Sequence, residues 1–565
     1  MPGVRTWLLA AACLAPHLAR FLGPDAIYAD GIYAHAVLML ARGHEPYVDY
    51  TQVAMLPVEA LLAALVRLFG PRTEVFEVTQ DFVILGAAFA LRGALRRAGR
   101  PRAGALAALL WSWSPWVLHF NLFERETWSA SAVALAFLAI APYLPARGAA
   151  AVPLERGGLL RTGGALALAF AVKITSAASA VAFAAFLLAS GRGRDALRLG
   201  LATAAIAGAA VAVHAAIWGA PFLQQVFVFG LFKGRNCPPG VGPTLLVTLA
   251  DPVIVLGVAG LLLWALRRAR GLPGLAAAAL LGTMLYALVL SPTVWDHNMI
   301  DLVLPAAVLG GGLLDRLLPG RGDEDEEAAA APGRSGGRPR LALVAGTVAV
   351  AAAFWVGDHF VPFTRHEHAL AHYGPWGPGF GGTSREVVAL SAAVLAAHSR
   401  PDELVLTTDP WVSCLANRVE FARYWDIEPV MHGVERSLEA DGLLATLAKS
   451  RDAIVLGPGR PPTPPGFNIG VRGYVDRLNA NTVVYMRPRL LEALAARRIA
   501  FLQWPFLPPS VQELVLTVAE LEALGYKRFR GTQAAGCYRP VGGATSRELE
   551  PMFGPTARRA EAAEH

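Results

Sequence analysis

The chain has 565 residues, a formal charge of +7, and only 16% charged against 55% hydrophobic side chains. Its mean hydropathy is +0.43, and a soluble domain averages roughly 25% charged residues. These values exclude disorder, a collagen-like repeat and a disulfide scaffold. They indicate a multi-pass membrane protein of at least two units, whose basic excess belongs to cytoplasmic loops rather than to nucleic-acid binding.

In chain order, apolar runs long enough to cross a bilayer fall near 7–22, 79–95, 103–120, 127–145, 199–218, 251–267, 273–291, 299–317 and 341–357. The N-terminal run has no clear cleavage site and reads as a first span, not a removed signal. Two stretches are ambiguous: 53–69 carries Glu59 and Arg67, and 163–190 is interrupted by Lys173.

Basic clusters decide the topology. Arg92, Arg96, Arg97, Arg100 and Arg102 mark one cytoplasmic loop. Arg147, Arg156 and Arg161 mark the next, then Arg192, Arg194 and Arg198, then Arg267, Arg268 and Arg270. The linker 318–340 is the last. With the N-terminus inside, 53–69 cannot cross and is read as a helix on the outer leaflet. The stretch 163–190 has basic loops at both ends. It must cross an even number of times, as a hairpin with its tip near Lys173.

The predicted fold is therefore an all-α membrane domain over 1–357, with about eleven transmembrane helices and outer-leaflet juxtamembrane helices in the first outer loop. An extracytoplasmic α/β domain follows over 358–545, then a disordered tail over 546–565. Within the α/β part, 384–399 and 512–524 read as helices, and 403–407 and 453–457 as strands. The Pro-rich loop from Gly457 to Gly466 lacks the Gly-Lys-Ser/Thr ending of a phosphate-binding loop. Cys13, Cys237, Cys414 and Cys537 form no CxxC pair, so they carry no zinc or redox motif.

The outer loops hold the candidate chemistry. Asp30 stands at the foot of a predicted helix, where a carboxylate either accepts a proton from an attacking hydroxyl or caps the helix. Glu124, Arg125 and Glu126 fill a short loop between two apolar runs, a costly placement without partners or water. The two acids either orient an acceptor, share a divalent cation with Asp30, or form an ordinary charged loop. Lys173 within an apolar run either meets a lipid phosphate or snorkels to the interface. His297 could bond the same phosphate, while Trp295 reads as an interfacial anchor. His366, His368 and His372 do not complete a zinc motif, because position 370 is Leu.

The order of these features resembles the C-type glycosyltransferase superfamily. The features are the outer-loop Asp30, Gly43-His44-Glu45-Pro46-Tyr47-Val48-Asp49, Leu68-Phe69-Gly70, Ser114-Pro115, the acidic second loop, Ala169-Phe170-Ala171-Val172-Lys173, and His297 before a helix with Pro305. The branch it looks most like contains the aminoarabinose and protein mannosyl transferases. Arg400-Pro401-Asp402-Glu403, Asp409-Pro410-Trp411 and Leu415-Ala416-Asn417-Arg418 resemble the exported domain of bacterial members.

The resemblance implies an inner-membrane enzyme moving a sugar, with inversion, from a polyprenyl-phosphate donor to a glycan, lipid or protein acceptor. Asp30 maps onto the family's base, Glu124 or Glu126 onto its second acid, and Lys173 onto its hairpin lysine. His297 and Arg125 are further candidates for the phosphate. Here Asp30-Gly31 replaces the family's Asp-Glu and His297-Asn298 its His-Tyr. No metal ligand or cofactor is assigned, and a divalent cation stays open. The alternative class is a transporter or flippase for lipid-linked sugars.

Overall fold

The computed structural model describes residues 4–22, 26–27, 31–50, 52–119, 123–145, 152–229, 251–265, 271–287 and 296–318, and short stretches between 383 and 516. It is mostly helical. The N-terminal run forms α1 (Val4–Leu22). The first outer loop holds a short strand, β1 (Ala26–Ile27), and two helices, α2 (Gly31–Ala41) and α3 (Pro57–Phe69). The 13 residues of α3 span about 20 Å at 1.5 Å per residue, short of the ~30 Å hydrocarbon layer. Arg67 ties α3 to the end of α2 by donating to the carbonyls of Ala41 at 2.7 Å and Leu40 at 2.9 Å.

Next come α4 (Thr73–Arg97), α5 (Pro101–Ser112), α6 (Pro115–His119) and α7 (Arg125–Ile140). The run 103–120, expected as one span, is two helices. Pro115 disfavours the helical conformation at Ser114 and ends α5 before it. Then follow α8 (Arg156–Val172), α9 (Ala177–Ala189) and α10 (Gly193–Leu223). After them stand α11 (Pro252–Ala265), α12 (Gly271–Leu285) and α13 (Ile300–Leu317).

Contacts sort the helix ends into two sets. At one end Arg92 donates to Thr6 at 3.3 Å, Arg97 to the Leu138 carbonyl at 2.9 Å, and Arg192 to the Tyr143 carbonyl at 2.6 Å. Arg102 lies 3.9 Å from Asp315 at the same end. At the other, Ser114 and the Trp116 amide meet Asp251, and the Glu124 amide meets Gln80. Among the described residues, the arginines of the 92–102 loop and Arg192 thus share one end, as the arginine pattern predicts for these two loops.

The stretch 163–190 folds back on itself. Lys173 leaves α8 in an extended conformation (φ −150°, ψ 113°) and a 3-10 turn, Ile174–Ser176, leads into α9. Leu154, before α8, bonds Asp195 at the start of α10. Further along, Gly163 faces Thr203 and Gly164 faces Ile206. Therefore α8 and α10 run the same way, and α9 returns between them.

Two helical stretches, Thr73–Arg97 and Gly193–Phe227, are long and apolar enough to cross a membrane. Only 17% of the latter's apolar window is buried, and Leu197, Leu201, Ile206, Val213 and Ile217 stand exposed on it. Such a face has no stable place in water. A face of this kind is suited to contact with lipid.

Of the C-terminal part, β2 (Thr383–Ser384) pairs antiparallel with β1. β3 (Val405–Thr407) lies parallel to β4 (Ile454–Leu456), within the two stretches expected as strands. A short helix, α14 (Pro410–Leu415), packs on α2. The predicted helix 512–524 is corrected at its start. Leu514–Leu516 is a strand, β6, antiparallel to β5 (Val484–Met486), where Leu-Val-Leu suits a buried strand as well as a helix. Most of 384–399, His366, His368, His372, the linker after Leu318, the run 341–357 and the tail lie outside the described residues.

Candidate functional site

Three segments converge: the start of α7, the hairpin tip between α8 and α9, and the turn before α13. Lys173 sits where they meet. Its Nζ lies 2.9 Å from Glu126 Oε1 and 2.9 Å from Asp301 Oδ2. It also donates to Asn298 Oδ1 at 3.0 Å. The interruption of the α8 ladder at Lys173 aims the side chain inward, toward partners, rather than along the helix to the interface. It does not snorkel.

Glu124, Arg125 and Glu126 are all buried, and they diverge. The Glu124 amide donates to Gln80 Oε1 at 3.2 Å, and Trp128 Nε1 donates to the same oxygen at 3.2 Å. Arg125 turns toward the first outer loop. Its Nε donates to Glu59 Oε1 at 2.7 Å and its Nη2 to Gln52 Oε1 at 2.9 Å. Its guanidinium lies 4.3 Å from the Tyr33 ring centre, and Gln52 Nε2 donates to Glu59 at 3.2 Å. Arg125 is thus a clamp between α7 and the first outer loop. Glu126 reaches Lys173.

Asp30 and the side chain of His297 lie outside the described residues. Their neighbours are placed. Tyr33, two residues into α2 after Gly31, packs edge-on against Phe123 at 5.9 Å and covers Arg125. The 3-10 turn Asp296–Met299 carries His297 and delivers Asn298 to Lys173.

Beside this cluster, Tyr47, Tyr50, Gln52, Ala54, Met55 and Leu56 of the loop 43–56 are buried. Tyr47 Oη donates to the Ala54 carbonyl at 2.7 Å, and Tyr47 adopts a positive φ of 65°. Burial, then the Glu59 carboxylate, holds the Tyr47 and Tyr50 phenols well above the ordinary tyrosine range, against the opposing pull of Arg125. Both stay neutral, and Tyr47 serves as a donor.

An apolar cavity of ≈ 530 Å³ opens between α2, α3, α8 and α10, lined among others by Leu56, Ala60, Leu168, Ala171, Ile206 and Trp218. Ala171 is two residues from Lys173. Among the described residues, no group of three or more His, Cys, Asp and Glu is set to hold a metal ion.

Asp301 was not singled out from the sequence. Its signal was there: an acid in the first turn of a span that stays apolar to Leu314 has an insertion cost like that of Lys173.

No family profile matches the chain, and no curated protein does. Solved structures do. ArnT from Cupriavidus metallidurans in the apo state superimposes with a TM-score of 0.52 at 16% identity, over 87% of this chain and 94% of that one. The same protein bound to undecaprenyl phosphate gives 0.51 at 18% identity, over 74% and 86%. The archaeal oligosaccharyltransferase AglB from Archaeoglobus fulgidus, in complex with an inhibitory peptide and a dolichol-phosphate, gives 0.43 at 14% identity, over 81% and 70%. The chain shares its fold with ArnT, as its motif order led one to expect.

Proposed function

We propose that the chain is an inverting glycosyltransferase that moves a sugar from a polyprenyl-phosphate donor to an acceptor at the outer face of the cytoplasmic membrane. One observation carries the reading. A largely buried cation, Lys173, stands at the tip of a helical hairpin beside two carboxylates, two residues along the chain from Ala171, which lines an apolar cavity. The undecaprenyl phosphate bound by ArnT makes the same ligand class the natural one here. The isoprenoid chain would lie against the Ala171–Trp218 cavity and its phosphate would reach Lys173, with His297 as a second contact.

In the reaction Asp30 takes the proton of the acceptor hydroxyl. The oxygen attacks the anomeric carbon, the bond from that carbon to the phosphate oxygen breaks, and polyprenyl phosphate departs. Lys173 offsets the charge that develops on it. A single displacement inverts the anomeric centre. Glu126 orients Lys173, and Glu124 lines the acceptor side. Eleven spans, an exported α/β domain from 358 to 545, and a glycan, lipid or protein acceptor belong to the same proposal.

The test is transfer by purified protein in lipid nanodiscs, with release of polyprenyl phosphate from a panel of lipid-linked sugars as the readout. Asp30→Asn keeps size and capping ability but loses basicity, so turnover should fall roughly a hundredfold or more with expression unchanged. Near-normal turnover would remove Asp30 from the reaction. Lipid-linked sugar crossing the bilayer at full rate in Asp30→Asn vesicles would favour a flippase instead.

A further inference from the structure

We propose that Asp301 is a positioning carboxylate that occupies Lys173 while the site is empty and exchanges with the lipid phosphate in each turnover. The proposal rests on the reading of Lys173 as the phosphate-binding cation. An ammonium has three protons. The three oxygens around Nζ, from Glu126, Asp301 and Asn298, lie at 2.9, 2.9 and 3.0 Å and engage all of them. Two of these oxygens belong to anions, so the cluster of one cation and two carboxylates carries a net negative charge. A phosphate approaching it meets repulsion, and finds no proton of Nζ to bond until one oxygen withdraws.

The geometry points to which one leaves. Glu126 sits in the first turn of α7, its side chain 5% exposed, beside the clamped Arg125. Asp301 sits in the first turn of α13, just after a 3-10 turn, and its side chain is 16% exposed. The more exposed carboxylate is the cheaper one to move, because water replaces its lost partner. Asn298 is neutral and opposes nothing. Glu126 then remains on Lys173 and holds it in place while the phosphate takes the position of Asp301.

The exchange serves the end of the cycle as well. The donor is a phosphodiester with one negative charge. The product is a phosphomonoester, carrying about −1.5 to −2 at neutral pH by analogy with other phosphomonoesters. Lys173 alone would grip the product more tightly than the donor and slow turnover. Asp301 returning to Nζ competes with the product and helps expel it.

The experiment titrates undecaprenyl phosphate into the full-length protein in nanodiscs. It compares wild type, Asp301→Asn, Asp301→Glu and Lys173→Met. Asp301→Asn keeps the volume and an oxygen for Nζ but removes the competing charge. It should bind the lipid phosphate roughly tenfold more tightly, with the donor KM lowered and kcat lowered too as release slows. Asp301→Glu retains the charge and should return to the wild-type affinity. Lys173→Met should lose affinity. If Asp301 only props up the fold, Asp301→Asn binds no better than wild type, and that result overturns the exchange while leaving Lys173 as the phosphate contact. Equal affinity of wild type and Lys173→Met overturns the exchange and the phosphate role of Lys173 together. Should Asp301→Asn melt early without lipid, the neutral Asp301→Ser must show the same gain, and its absence counts equally against the proposal.

Discussion

Arg125 shows how a residue that looks like a ligand contact can be structural. Its Nε and Nη2 are engaged by Glu59 and Gln52, and its flat face by Tyr33. Removing one partner of a buried ion pair strands the other, at a cost of about 3–5 kcal/mol. Arg125→Met should therefore lower the thermal transition of the purified protein sharply. The double variant Arg125→Met, Glu59→Leu should recover much of the loss, because neither charge is then left alone. Arg125→Lys should rescue poorly, since an ammonium cannot bond Glu59 and Gln52 in the plane of a guanidinium. Full stability in Arg125→Met would free this arginine for the phosphate role first considered for it.

The hairpin at Lys173 was legible at the scale of elements because charge counting is robust. Basic loops on both sides force an even number of crossings whatever the helix lengths. The register between distant helices was not legible. Lys173 meets Asp301 across 128 positions, and His17 meets Asp81 at 3.4 Å and the Ser112 carbonyl at 3.0 Å. No local pattern encodes such pairings. The close approach of α13 to its neighbours was equally hidden. A Cβ at Gly311 would stand 2.7 Å from the Ala103 carbonyl oxygen and 2.8 Å from the Ala107 amide nitrogen. One at Gly257 would stand 2.5 Å from the Cα of Ala306. Membrane helices lack a hydrophobic drive to associate, so backbone contact through small residues does that work. Gly311→Ala should then destabilise by about 1–3 kcal/mol, read as a lower thermal transition. Gly86→Ala, where a Cβ meets nothing within 4 Å, is the matched control and should change little. α13 also carries Asp301, so a shift of α13 should weaken binding of the lipid phosphate.

At the scale of the whole molecule, short stretches of the later part of the chain are fastened to the segment between α1 and α3 and to the start of α4. β2 pairs with β1, Trp411 packs edge-on against Phe76 at 5.1 Å, and Arg42 Nε donates to Asn417 Oδ1 at 3.1 Å. These contacts put the 410–419 segment at the helix ends where Lys173 and Glu126 lie, opposite Arg97 and Arg192. His35 of α2 is fully buried in this junction, with Ser413 Oγ 3.3 Å from its Nδ1. Burial first, then the charges of Arg42 and His44, lowers its pKa to about 3. Unfolded, it titrates near ~6.5. Below that value the unfolded chain binds a proton that the docked state refuses, so stability rises with pH. The contribution is complete above about 6.5 and declines as pH falls toward about 3, with about 2 kcal/mol gone at pH 5. Thermal transitions measured between pH 7.5 and 5 should fall for the wild type and fall less for His35→Gln, which keeps a polar group of similar size without the titration. Limited proteolysis at pH 5 should release the 410–419 segment from the wild type first. Identical pH profiles for the two proteins would show that His35 does not govern the junction.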